Sequence, residues 1–258
     1  MKSKIIYAEL LFVLATAYSC HTPYHLVNVQ KERILVDKRY DKNPDYHAAT
    51  LMLPYKQKVD SLMGPVLGSV DSYMNSHRPE SPLTDLFCDI LVWGGQRFNE
   101  KPDFSVYNVG GIRAALAKGT VTVGDVLDCA PFENKICFLT LKGSDVLQLF
   151  KEIAARGGEG VSKSVSLKIS SDSILLSAKI NGASIKENSV YRVATLDYLA
   201  QGNDGLATFS KGTNIVSPQN EENNVRYVIM DYFRNQTLLG KVISNPIDSS
   251  NPRIAIEK

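Results

Sequence analysis

The 258-residue sequence predicts an α+β fold, a single mixed-sheet domain with flanking helices. Three observations predict it. The composition, 44% hydrophobic and 22% charged, is that of a packed globular chain rather than a disordered one. Apolar residues recur at helical spacing in some stretches and alternate in others. The two kinds of stretch mix without a regular βαβ repeat, which places the chain in the α+β class.

Taken in order, the elements begin with a leader. Lys2 and Lys4 precede an apolar run from Ile5 to Ala17, followed by Ser19-Cys20. A cationic start, a short apolar core and a small residue before cysteine make an export signal over residues 1–19. The run is too short for a bilayer of ~30 Å, which takes ~20 helical residues. Ser19-Cys20 resembles the end of a bacterial lipobox, with Ala17 and Tyr18 a loose fit, so Cys20 is the candidate lipidation site. An ordinary cleaved signal with an incidental cysteine is the alternative. The expectation is export and lipid anchorage at the cell envelope, on the periplasmic face or at the outer membrane.

Residues 20–45 read as a polar tether with one short strand at Arg33 to Val36, and the domain proper covers 46–258. Leu51, Leu53, Val59, Leu62 and Met63 predict a helix from Pro54 to Met63, stopped by Gly64-Pro65. Val66 to Val70 reads as a strand. Pro82 to Trp93 reads as a helix with Pro82 at its first position, where the missing N–H costs nothing, and with Leu83, Leu86, Phe87, Ile90 and Leu91 inward. Phe104 to Val109 is strand-like, Val123 to Leu127 opens a short helix, and Lys135 to Leu141 alternates as a strand. Ser144 to Ala155 is amphipathic, with Val146, Leu147, Leu149, Phe150 and Ile153 on one face. Strands follow at Val165–Ile169, Leu175–Ile180 and Tyr191–Thr195, with Asn181-Gly182 as a turn. A helix closes the pattern near Asn224–Leu238.

Charge excludes one class of partner. With 29 basic and 27 acidic residues and no long Lys/Arg run, the chain carries no nucleic-acid footprint. Cys88, Cys129 and Cys137 sit in apolar settings and match no zinc spacing, which reads as buried thiols. A Cys129–Cys137 pair in an oxidising compartment is the alternative.

Three segments stand apart from this scaffold. In Asn108-Val109-Gly110-Gly111-Ile112-Arg113 a strand breaks into two glycines and an arginine. Adjacent glycines let backbone approach a ligand, and arginine offers a planar fork of donors to oxygens; a plain turn with a solvated arginine fits equally. In Asp197 to Gly205 a loop at a strand end carries Asp204 between Asn203 and Gly205. That suits a carboxylate aimed at hydroxyls, or an ordinary Asn-Asp-Gly turn. Between them, Pro131-Phe132-Glu133-Asn134 sets an aromatic at a helix–strand junction, either as core or as a stacking platform.

Their order carries more than any one of them. Asn108–Arg113, Gly124–Leu127, Pro131–Asn134 and Tyr191–Gly205 together resemble the C-terminal domain of the 5′-nucleotidase family, over about Tyr46 to Lys258. That resemblance extends to the Leu86-Phe87-Cys88-Asp89 helix and to Arg253-Ile254. It implies that Phe132 and Tyr198 sandwich a base and that Asn108 touches its edge. It also implies that Arg113 lies near ribose and phosphate and that Asp204 binds ribose hydroxyls. Gly110, Gly111 and Asn134 complete the substrate-binding set, and Arg78 is the nearest match to a further family arginine, with the alignment slipping by a residue. Three departures stand out: Val109 and Asn203 replace glycines, and Tyr198 replaces phenylalanine.

The full family architecture implies a second, metallophosphatase domain whose two metal ions clamp the oxygens in phosphoryl transfer. This chain has four histidines, His21, His25, His47 and His77, none in a metal-ligand run. The expectation is a chain without catalytic or metal-binding residues and without a cofactor of its own. Divalent metals would belong to a separately encoded metallophosphatase subunit that this chain supplies with nucleotide recognition. A stand-alone nucleoside- or nucleotide-binding lipoprotein is the alternative.

Overall fold

The computed structural model describes residues 25–257, which divide into two units after Leu51. The leader and Cys20 lie outside the described residues. In the first unit, residues 25–36 adopt neither helix nor strand, and a 3₁₀ turn forms at Tyr40–Lys42. The strand expected at Arg33 to Val36 is not formed. An isolated extended segment has no ladder to satisfy its backbone, and Ile34, Leu35 and Val36 stay exposed.

Helix α1 spans Tyr46–Met63, longer than expected. Its start is set by a cap rather than by Pro54: Asp45 Oδ1 accepts the N–H groups of His47 at 2.9 Å and Ala48 at 3.1 Å. Pro54 is carried inside the helix.

In the second unit, β1 (Val66–Val70) is followed by α2 (Pro82–Gly94) and β2 (Phe104–Tyr107). Then come β3 (Gly119–Thr122), α3 (Val123–Cys129), β4 (Ile136–Lys142) and α4 (Gly143–Ala155). The short β5 (Gly160–Val161) leads into β6 (Val165–Ser170), β7 (Leu175–Ile180), β8 (Ala183–Ser184) and β9 (Val190–Leu196). The remainder is α5 (Asp197–Ala200), β10 (Thr213–Val216), α6 (Val225–Leu238) and β11 (Ile254–Glu257). The α+β class is therefore realised with the strands spread over three sheets, ordered β1-β3, β10-β4-β9-β2-β5 and β11-β6-β7-β8. The five-stranded sheet is mixed, with β2 parallel to β9 and the other pairings antiparallel.

Period-two alternation along β2 assigns helices to the two faces of that sheet. Phe104 meets Phe150 of α4 with ring centroids 5.3 Å apart. Tyr107, three residues on and so on the other face, meets Phe87 of α2 at 5.5 Å. Ser105, sharing that second face, donates its hydroxyl to Cys88 O at 2.6 Å. Leu83, Leu86, Phe87, Ile90 and Leu91 are all buried, as are Val146, Leu149, Phe150 and Ile153; Leu147 is half-buried. Cys88, Cys129 and Cys137 are free and buried, and burial pushes the Cys129 and Cys137 thiols up to about 12 and about 11.

Two ion pairs absorb motif arginines into the scaffold. Arg192 binds Glu100 with both ends of its fork, at 2.7 and 2.6 Å, and donates to Asn214 O at 2.6 Å. Arg253, just before β11, is buried and reaches across to α2, donating to both oxygens of Asp89 at 2.9 and 2.7 Å. Asp85 lies 3.0 Å from Arg253 Nε. Burial nevertheless pushes its carboxyl up to about 9, with Arg253 pulling down and Glu80 adding to the rise. Asp89, which meets Arg253 with both oxygens, answers the charge of that arginine most fully.

Candidate functional site

The C-terminal edge of the parallel pair β2–β9 opens into irregular backbone on both strands, and the motif residues collect there. After β2, Asn108 leads into a 3₁₀ turn at Val109–Gly111, so the strand ends two residues earlier than Val109. Gly111 is forced by packing: a Cβ there would press on Asn108 Oδ1 at 2.6 Å. After β9, α5 turns the chain through Gly202, Asp204 and Gly205, all at positive φ. Asn203 closes this loop by donating its amide to Tyr198 O at 2.7 Å. The segment is a turn, and it carries the Asp204 carboxylate to the cavity lining.

Asp204 joins the two loops. Its Oδ2 accepts from Asn108 Nδ2 at 2.6 Å and its Oδ1 from the Tyr198 hydroxyl at 2.9 Å. The hydrogen bond to Asp204 and the charge of that carboxylate raise the Tyr198 phenol above its ordinary pKa. An ionised carboxylate only accepts, so Asn108 must turn its amide nitrogen towards Asp204. Its Oδ1 is then buried without a partner among the described residues. That oxygen is packed against Gly111, where a Cβ would sit 2.6 Å from it, and less than 1 Å² of it is accessible, so a ligand donor reaches it only if the Asn108 side chain turns.

Asn108, Gly110, Gly111, Phe132, Asn134, Tyr198 and Asp204 line one cavity of about 300 Å³. Phe132 is 50% exposed and Tyr198 38% exposed, so neither is core, and both present ring surface to the cavity. Asn134 is anchored through its carbonyl, which accepts from Val225 N at 2.9 Å. Gly124–Leu127 supplies scaffold: Thr122 and Asp125 form a reciprocal cap at the start of α3.

The predicted arginines stand outside the lining. Arg113 is exposed on the loop, with Nη1 3.4 Å from Gly110 O. Arg78 donates to Gly158 O at 2.8 Å and to Glu159 Oε1. Glu159 is 1% exposed, and no motif singled it out. Its Oε2 accepts the Val109 N–H at 2.6 Å, and Val109 is not among the residues at positive φ. Arg156 shares the same carboxylate, with Nε 2.7 Å from Oε1. The signal was present as Arg156-Gly157-Gly158-Glu159, a further Gly-Gly break flanked by charge.

A larger cavity of about 480 Å³ lies elsewhere, lined by residues including Lys163, Lys179 and Asp248 but by no aromatic side chain. Among the described residues, no group of three or more His, Cys, Asp or Glu side chains is arranged to hold a metal ion.

Comparison with known proteins places this architecture. A family model described as 5′-nucleotidase, C-terminal domain, matches residues 63–211. Protein UshA of Yersinia enterocolitica is 28% identical over 178 residues, 67% of this chain and 32% of its own length. The 5′-nucleotidase of Vibrio parahaemolyticus is 23% identical over 69% of the chain and 32% of its own length. The chain therefore spans about a third of these relatives. A 5′-nucleotidase precursor from Thermus thermophilus superposes with a TM-score of 0.70 at 23% identity, covering 82% of this chain and 43% of that one. The NAD nucleotidase of Haemophilus influenzae gives 0.61 at 19% identity, over 83% and 41%. At these identities the structural likeness speaks for the fold. The family match covers more than half of the sequence, and the chain belongs to the 5′-nucleotidase C-terminal domain family.

Proposed function

We propose that this domain recognises a nucleoside or nucleotide as part of 5′-nucleotidase-type nucleotide breakdown. One observation carries the reading: three separate motif segments converge on a single cavity with two aromatic rings, two asparagines and a carboxylate. In this reading Phe132 and Tyr198 stack on the base, Asn108 touches its edge, and Asp204 takes the ribose hydroxyls. Gly110 and Gly111 let the ligand lie close to backbone. Arg113 and Arg78, which lie outside the lining, serve the phosphate side in this proposal.

Phosphoryl transfer, in this proposal, comes from a separate metallophosphatase that contributes the divalent metals and all catalytic residues. We further propose export and lipid anchorage through Cys20, supported by the cationic start, the apolar run and Ser19-Cys20. The second reading is a nucleoside-binding lipoprotein that serves uptake and catalyses nothing.

Titration calorimetry with adenosine and AMP tests the site. Stacking is worth ~1–3 kcal/mol per base in proteins that bind single strands. Phe132→Ala and Tyr198→Ala should each weaken binding accordingly and together abolish it; unaltered affinity in the double variant refutes the sandwich. Purified chain should release no phosphate from AMP with Mn²⁺ or Zn²⁺. Chelator-sensitive release from a clean preparation would overturn the non-catalytic assignment. Restoration of hydrolysis by an added metallophosphatase separates the recognition subunit from the uptake protein.

A further inference from the structure

The two aromatic rings of the cavity come from different segments, Phe132 from the loop before β4 and Tyr198 from the first turn after β9. A flat ring system enters between two rings only if their planes stand about 7 Å apart, twice the ~3.5 Å of carbon–carbon contact. Both rings are partly exposed, so core packing does not hold that spacing. It has to come from whatever joins the two segments.

On one side the Phe132 loop is bound to the start of α6. Arg226 Nη2 donates to Pro131 O at 3.1 Å, Val225 N to Asn134 O at 2.9 Å, and Lys135 Nζ to Asn224 Oδ1 at 2.9 Å. Asn224 and Val225 are buried, which fixes that side to the core. On the other side the β4–β9 ladder ends at Ile136 and Leu196. Beyond it, Asp197 makes every hydrogen bond that joins residues 131–135 to residues 197–205 among the described residues. Its N–H donates to Lys135 O at 2.9 Å, and its Oδ1 accepts the Lys135 N–H at 3.0 Å. The same Oδ1 accepts the Tyr198 N–H at 2.8 Å. One oxygen therefore gathers a backbone N–H from each ring's segment, and bonds to an ionised acceptor are roughly twice as strong as neutral ones.

We infer that Asp197 is a positioning residue that sets the gap between Phe132 and Tyr198. The inference rests on the nucleoside reading of the cavity and adds to it the group that holds the sandwich at one width. Asp197 is not among the lining residues; it acts on the ligand only through the two N–H groups it holds. Removing its side chain leaves the bond from its own N–H to Lys135 O, so the sheet stays closed while the two ring-bearing segments come loose from each other.

A double-mutant cycle with Phe132→Ala, read by adenosine calorimetry on the full chain, tests this. Asp197→Ala should weaken adenosine about tenfold, the low end for a lost hydrogen bond to a charged group. Asp197→Asn, whose amide oxygen keeps both acceptor bonds, should recover most of that loss. In the Phe132→Ala chain no gap is left to set, so adding Asp197→Ala should cost less than about threefold more. Equal losses in the two backgrounds, or an Asn variant as weak as Ala, overturn the role of Asp197 and leave the cavity reading standing. A wild type that does not bind adenosine overturns both. If Asp197→Ala melts early, Asp197→Glu decides: a carboxylate displaced by one methylene must also weaken adenosine, and wild-type affinity in that variant overturns the inference.

Discussion

Replacing Asp204 by alanine tests the junction on which the cavity is built. The substitution removes the acceptor for Asn108 Nδ2 at 2.6 Å and for the Tyr198 hydroxyl at 2.9 Å. Tyr198 is partly exposed and can turn to water, so its loss costs little. Asn108 is 4% exposed, and its amide N–H would be stranded at a cost of ~1–3 kcal/mol. Position 204 also sits at φ +55°, a strain that aspartate and alanine share and glycine escapes. Asp204→Ala should therefore lose ~1–3 kcal/mol, a fall in melting temperature of ~2–12 °C for a domain of this size. Asp204→Gly isolates the hydrogen-bond part and should recover ~1 kcal/mol of the difference. Calorimetric melting of the three proteins gives the stability side. Adenosine titration gives the ligand side, where a lost charge-assisted bond should weaken binding by ~1.5–3 kcal/mol, about 10- to 150-fold. An Asp204→Ala protein that melts within a degree of wild type refutes the bridge. One that binds adenosine unchanged refutes the sugar contact.

Three further outcomes follow from packing and charge. Asp85 holds its proton up to about 9 when folded and releases it near ~3.9 when unfolded. Its stabilisation is thus complete below the unfolded value and is lost as pH rises towards 9. Asp85→Asn, which keeps a neutral group there, should melt progressively higher relative to wild type between pH 5 and 9; a constant difference would show an ionised Asp85. Arg192→Leu strands Glu100 and should cost ~3–5 kcal/mol in urea denaturation, with Glu100→Leu in the same chain restoring a good part; additive losses would deny the pairing. Gly158→Ala meets Pro79 O at 2.4 Å and should destabilise by more than Gly182→Ala, which has positive φ but open space and costs ~1 kcal/mol. Equal melting shifts would mean that the turn before Glu159 yields freely.

Local grammar was legible in the sequence and long-range pairing was not. Helices α2 and α4 stood out because four or five large apolar residues repeat on one face, and those residues are buried. Asn181-Gly182 announced a hairpin turn, and both residues take positive φ between β7 and β8. The cavity residues were legible because Gly-Gly, Pro-Phe and Asn-Asp-Gly each break a regular stretch. By contrast, β3 is four residues of Gly-Thr-Val-Thr whose strand character comes from pairing with β1, which no local pattern shows. Helix α1 begins where Asp45 caps it and carries Pro54 in its interior. Charged side chains were read least well. Arg192 and Arg253 sit in motif segments yet act as internal struts. Arg156 and Glu159 lie between motifs, and their meaning depends on Val109, 50 residues away.

The Arg253 strut also bears on when the domain can finish folding. Asp89 and its helix α2 leave the ribosome early, whereas Arg253 is made 164 residues later. At ~5–20 residues per second that interval is on the order of ten to thirty seconds. Throughout it, α2 must keep a carboxylate that will later lie against the core in contact with water, and β6 lacks the parallel neighbour that β11 will provide. The last strand thus acts as a latch on the nascent chain: the helix beneath the sheet is translated first and locked last. A chain cut short before Arg253 should remain a substrate for chaperones and proteases, even with every cavity residue in place.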